Sequence, residues 1–202
     1  MKEKQMKTIL CYGDSNTWGS QGKAQRMPHA QQWPNILATL LGDNFYVVQE
    51  GLGGRVAGNF VHGDPAKNGK DSFEVIYRSA APVDLVIIGL GANDLKKMYG
   101  QSADEIFNNL MWYAAEADIL KDRNAGVVPK IMYVTPANFD SDKSYYEADE
   151  TVRQELIEKL LATNYPVVVL NDMELVEDKL HFTEADHQKI ARLVAEKVEE
   201  IV

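Results

Sequence analysis

Apolar positions along the chain fall into five short runs separated by stretches of helical period. Residues 8–12 form a compact apolar run stopped by Gly13, 45–48 a second that ends at Gly51, and 83–89 a third. The third is almost continuously apolar, which suits a central strand buried on both faces. Residues 130–134, closed by Pro136, and 167–170 complete the set. Between them Trp33, Ile36, Leu37, Leu40 and Leu41 recur at helical spacing up to Gly42, a C-terminal stop. Ser102 with Glu105 makes a capping-box pattern ahead of a face formed by Ile106, Leu110, Tyr113, Ala117 and Leu120. Residues 147–161 read as a further helix, and Thr183 with Asp186 caps a last one striped by Ile190, Val194, Val198 and Ile201. Residues 20–30 and 59–71 are polar and rich in turn formers, so both read as loops, the second long and with at most a short helical turn.

Strand alternating with helix implies βαβ units and a parallel sheet covered on both faces. No repeat, low-complexity tract or linker divides the chain, so residues 1–202 are expected to form one domain. With 45% hydrophobic and 25% charged residues the composition is that of an ordinary globular protein able to bury a sizeable core. The net charge of −9 argues against nucleic acid or an anionic membrane as a standing partner, since both require a basic patch. Cys11 is the single cysteine and lies inside the first apolar run, so it reads as a buried, inert thiol. Residues 1–7 carry charge without the apolar stretch of a signal peptide, and no segment approaches the roughly 18 apolar residues of a membrane span. A cytoplasmic location is therefore expected.

Candidate chemistry sits where open α/β sheets place their ligand sites, just past the carboxyl ends of strands. Gly13-Asp14-Ser15 follows the first run, Gly53-Gly54-Arg55 the second and Gly91-Ala92-Asn93-Asp94 the third, and Asp178-Lys179-Leu180-His181 precedes the last helix. A serine hydroxyl is a weak nucleophile until a base removes its proton and a third group orients that base. Ser15 on a tight turn at a helix start has its hydroxyl exposed, His181 is the candidate base, and Asp178, three residues earlier, can fix the imidazole tautomer. The Asn93 amide and the Gly54 N–H are candidate donors to an oxyanion. Each motif also has a plain structural reading: a helix cap for Asp14 or Ser15, a surface histidine, a turn asparagine, a turn glycine. Their order and matched positions raise the catalytic reading above those.

Asp178, His181, Glu184 and His187 carry metal-ligand atoms at near-helical spacing, but His181 precedes the cap and there is no His-Glu-x-x-His pattern or cysteine cluster. No metal is expected, and His187 reads as a helix-surface histidine. Nucleotide-binding glycine motifs and a Gly-x-Ser-x-Gly elbow are absent as well.

Together these residues resemble the SGNH, or GDSL, hydrolase family over nearly the whole chain, with Ser15, Gly54, Asn93 and His181 at its four name-giving positions. The resemblance implies a three-layer α/β/α sandwich, a flavodoxin-like doubly wound sheet of five parallel strands, and no cofactor. It implies Ser15 as nucleophile, His181 as base, Asp178 as its orienter, and an oxyanion hole of the Ser15 and Gly54 amides with the Asn93 side chain. The stretches 12–19, 50–55 and 181–185 are most similar to the bacterial arylesterase/acyltransferase branch, whose members hydrolyse short acyl esters and in some cases transfer the acyl group to alcohols. Several of them are oligomers, which suggests a homo-oligomer here.

The alternatives are a carbohydrate O-deacetylase, a lysophospholipase or thioesterase, and, outside enzymes, a catalytically silent ligand-binding protein on the same fold. Three departures from the family pattern stand out: Asn16 for a leucine, Val56 for a threonine, and Lys179 for a glycine. If residue 179 takes positive φ, a lysine there costs about 1–2 kcal/mol and stands to misplace Asp178.

Overall fold

The structure, a computed structural model, describes residues 6–23, 25–139 and 147–201; the first five residues of the charged N-terminal stretch lie outside that set. In chain order its elements are β1 (Lys7–Gly13), α1 (Ser15–Trp18), α2 (Trp33–Leu41), β2 (Phe45–Gly51), α3 (Gly69–Ala80), β3 (Leu85–Gly89), α4 (Ala103–Ile119), β4 (Lys130–Val134), α5 (Glu150–Leu161), β5 (Val167–Val168) and α6 (Glu184–Ile201). The strands form one parallel sheet in the order β2-β1-β3-β4-β5. This is the flavodoxin-like doubly wound order, and its switch point lies where β1 separates β2 from β3.

Side chains alternate across the sheet, so each inner strand feeds two cores. Leu10, Tyr12, Val86, Ile88, Ile131 and Tyr133 pack against α3, α4 and α5, whereas Ile9, Cys11, Leu85, Ile87, Met132 and Val134 pack against α2 and α6. Cys11 is fully buried, and desolvation pushes its thiol pKa far up, so it is the inert thiol expected. Ser102 and Glu105 make the expected reciprocal cap of α4, and Thr183 and Asp186 do the same for α6 through paired backbone and side-chain bonds.

Three boundaries differ from the sequence reading. The loop expected over 59–71 ends at Asn68, because Phe73, Ile76, Tyr77 and Ala80 share an apolar face that buries against the sheet as α3. Helix α5 starts three residues later than expected, since the Asp149 carboxylate accepts from the N–H groups of Thr151 and Val152 and fixes the cap there. Strand β5 stops at Val168 because the Leu170 N–H turns to the Thr135 hydroxyl instead of a strand carbonyl.

Candidate active site

Gly13, Gly51 and Gly89 lie in register at the carboxyl ends of β1, β2 and β3. The row is bare because α1 lies across it: a Cβ on Gly51 would collide with the Trp18 backbone nitrogen, and one on Gly13 with the Thr17 hydroxyl. Asp14 caps this single helical turn by accepting from Asn16 N–H at 2.9 Å, and Gly19 closes it in the left-handed region. Ser15 is the first helical residue, so its N–H has no acceptor within the helix.

The loop after β5 brings His181 to the serine. His181 Nε2 lies 3.0 Å from Ser15 Oγ, and His181 Nδ1 lies 2.7 Å from Asp178 Oδ2. The other carboxylate oxygen, Oδ1, accepts from the Leu180 and His181 backbone N–H groups, each at 3.0 Å. Partial burial opposes the charge on Asp178, but these hydrogen bonds from His181 and Leu180 outweigh it and hold the carboxyl below its usual range. Lys179 does adopt the left-handed conformation, with φ at 56°. The expected misplacement of Asp178 does not follow, because the surrounding hydrogen bonds keep its carboxylate on the imidazole.

Across the cleft, two loops are stitched together. Asn93 is buried and its Nδ2 donates to Arg55 O at 3.0 Å, which leaves the second hydrogen of the same amide for another acceptor. Next to it both Asp94 oxygens accept from Ala57 N–H, at 3.0 and 2.9 Å. The Arg55 guanidinium stacks 4.2 Å from the Tyr12 ring centroid and donates to Gly13 O and Glu50 O at 2.9 and 2.7 Å. Gly54 takes φ 79°, and a Cβ there would press to 3.0 Å on the Lys67 side chain. Val56 is buried, and its main chain pairs with Lys67 O and Gly69 N–H, so this loop is held through its backbone without the family's threonine.

Burial governs the acids beneath this wall. Asp94 is fully buried and desolvation lifts its pKa to about 7 against the Ala57 hydrogen bond, with Asp14 repelling it further. Desolvation likewise lifts Asp14 to about 6, opposed by the Asn16 hydrogen bond and by the His181, Lys96 and Arg55 charges.

Ser15, Gly54, Asn93 and His181 all line one open cleft of about 460 Å³, with Trp18, Met98, Tyr99 and Leu180 as its apolar wall and Lys67 and Lys96 at its side. Among the aromatic and methionine side chains, Trp18, Met98 and Tyr99 reach the cleft, Phe60 stacks edge-on against Tyr99, Phe139 packs against the core under α3–α5, and Met27 and Trp33 are buried in the interior.

His187 corrects the sequence reading. It is fully buried, its Nδ1 accepts from Trp33 N–H at 3.1 Å, and desolvation lowers its pKa to about 4. It therefore anchors α6 to α2 as a neutral ring and does not face solvent. Among the described residues no group of three or more His, Cys, Asp or Glu side chains is placed to hold a metal ion, and no helix is long and apolar enough to cross a membrane. Sequence reasoning assigned no role to Arg55, Asp94 or Asn16. The first two stand inside the motifs quoted above.

A family model described as GDSL-like lipase/acylhydrolase matches residues 9–194. Among solved structures, the native M. smegmatis aryl esterase is 28% identical with a TM-score of 0.86, covering 97% of this chain and 100% of that one. A proposed arylesterase from Agrobacterium tumefaciens str. C58 is 30% identical with a TM-score of 0.86, over 98% and 100% of the two chains. Est24, a carbohydrate acetylesterase from Sinorhizobium meliloti, is 26% identical with a TM-score of 0.86, over 97% and 100%. A stretch of 47 residues is 43% identical to the uncharacterized lipoprotein YqeF of Bacillus subtilis (strain 168) and spans 23% of this chain but only 19% of that relative.

Proposed function

The chain belongs to the GDSL-like lipase/acylhydrolase family and is an ester-hydrolysing enzyme, and we propose that it cleaves short-chain acyl esters through an acyl-enzyme on Ser15. The observation that carries this reading is the unbroken hydrogen-bond chain from Asp178 through His181 to Ser15, at 2.7 and 3.0 Å, opening into the cleft that Gly54 and Asn93 line.

In this mechanism His181 Nε2 takes the Ser15 proton as Oγ attacks the acyl carbonyl. The oxyanion of the tetrahedral intermediate meets the Ser15 and Gly54 N–H groups and the free hydrogen of Asn93 Nδ2. Collapse expels the alcohol, which receives its proton from His181, and leaves the acyl group on Ser15. Water then attacks with His181 again as base, and Asp178 stabilises the imidazolium formed in each half. An alcohol in place of water gives acyl transfer by the same step.

Trp18, Met98, Tyr99 and Leu180 give the open cleft an apolar wall on the serine's side, which suits an apolar acyl group or an aryl leaving group. Deacetylation of carbohydrate esters is the second reading, and the likeness to Est24 supports it.

Initial rates on p-nitrophenyl acetate, butyrate and octanoate, with an acetylated sugar alongside, test the proposal. Release should fall with chain length, and Ser15→Ala should lower kcat by about 10⁴-fold or more. A Ser15→Ala protein turning over at the wild-type rate would sink the mechanism.

A further inference from the structure

We infer that Asn16 is a positioning residue for the esterase reaction, strapping the strained turn that carries His181 to the helix that carries Ser15. The inference rests on the function proposed above and adds a component that the four signature residues do not include.

The chain from β5 to α6 holds three non-glycine residues in the left-handed region: Asp172 and Leu175 at φ 59° and Lys179 at φ 56°. That conformation is disfavoured for L side chains and persists where the surroundings over-determine it. The first half of the segment has such surroundings. Met173 exchanges two hydrogen bonds with the Asn138 side chain, at 2.8 and 3.1 Å, and the Glu174 and Leu175 N–H groups both donate to Asp186 at 3.0 Å.

The second half is different. The Lys179 N–H bonds Val176 O, the Val176 N–H bonds His181 O, and Asp178 accepts from Leu180 and His181. All four bonds lie inside the turn. Beyond the His181–Ser15 hydrogen bond itself, Asn16 ties the backbone of the turn to the helix that carries Ser15. Its Nδ2 donates to Leu180 O and its Oδ1 accepts from Phe182 N–H, both at 3.2 Å, bracketing His181 on either side. The side chain is buried, and its own N–H is committed to Asp14, so the strap has a fixed root one residue from the nucleophile. A leucine at this position would be similar in size yet would leave the Leu180 carbonyl and the Phe182 N–H unpaired. Packing of Phe182 into the core beside His187 is the competing anchor, and the experiment separates the two.

Asn16→Leu and Asn16→Ala should each lower kcat on p-nitrophenyl acetate by about 10–30-fold with KM within about twofold, since the strap orients the base and touches no substrate. The rate of Ser15 labelling by a fluorophosphonate probe should fall in parallel. In a Lys179→Gly background, where the left-handed residue no longer resists, the same substitution should cost less by about threefold or more.

Wild-type kcat and labelling in folded Asn16 variants would overturn the inference, as would a loss confined to KM or one unchanged in the Lys179→Gly background. If Asn16→Leu does not fold, Asn16→Ala carries the test. Wild-type protein that labels no faster than Ser15→Ala would remove the esterase reading itself. Labelling that depends on Ser15 but is indifferent to Asn16 would remove only the strap.

Discussion

The two walls of the cleft each place an aspartate beside a proposed catalytic side chain, and the two carboxyls have pKa values shifted in opposite directions. On the base wall, Asp178 keeps about a quarter of its side chain in solvent and is held ionised by His181 and two backbone N–H groups. On the oxyanion wall, Asp94 has no exposure, and burial lifts its pKa to about 7 even though both of its oxygens take the Ala57 N–H. Sites that divide labour often push like groups apart in this way. Here the difference marks two kinds of construction. In the proposed mechanism the base wall needs a standing charge to steady an imidazolium. In the same mechanism the oxyanion wall needs loops locked in place, and there burial makes a charge costly and raises the Asp94 pKa to about 7.

Substitutions that swap charge for shape expose this contrast. Asp178→Asn keeps the acceptor for Leu180 and His181 but turns an N–H toward His181 Nδ1. The ring must then carry its proton on Nε2, where it cannot accept one from Ser15. Steady-state kinetics should show kcat down about 10³–10⁴-fold. A loss under tenfold would mean that Asp178 supplies position and not charge. On the opposite wall Asn93→Ala should lower kcat by about 10²–10³-fold with KM little changed, because the amide meets charge that develops only in the transition state. If KM carried the loss instead, Asn93 would be a binding group and the two walls would not divide as described.

The residues proposed to react were legible in the sequence because such chemistry requires particular side chains at strand ends, and the structure brings Ser15, Gly54, Asn93, Asp178 and His181 to one cleft. Helix α3 is absent from the sequence reading, although Phe73, Ile76, Tyr77 and Ala80 carry its spacing, because the glycine- and asparagine-rich run before it reads as a loop. What supports the site was not legible. The left-handed Lys179 follows from replacing a glycine, yet what holds its turn against the serine is a side chain 164 residues away. Asn16 stood out only as a departure from the family pattern, since no spacing rule pairs it with Leu180 and Phe182. Asp94 gave no sign of being fully buried, because the step from Asn93 to Asp94 turns the next side chain inward only once the β2 loop is packed over it.

The subtlest test concerns stability against pH, where the two aspartates should act with opposite sign. An unfolded aspartate titrates near 3.9. The native Asp94 titrates near 7. Between about pH 4 and pH 7 the native state thus binds a proton at Asp94 that the unfolded chain has released, so this residue's contribution falls as pH rises. Asp178 is shifted downward, so its contribution is present above the unfolded value and is lost only as pH falls through its native one. Asp94→Asn has no such proton, so the wild-type melting temperature minus that of the variant should decline from pH 4 to pH 7 and then level off. A decline on the order of 10 °C follows from about three pKa units in a chain of this size. The same difference taken against Asp178→Asn should rise over the acid range instead. Buried Asp14, lifted to about 6, titrates in both proteins of each pair and so drops out of the difference to first order. A difference for Asp94 that stays level with pH would mean its carboxylate is charged throughout. The oxyanion wall would then be built on a stabilised charge, like the base wall, and the contrast between them would fail.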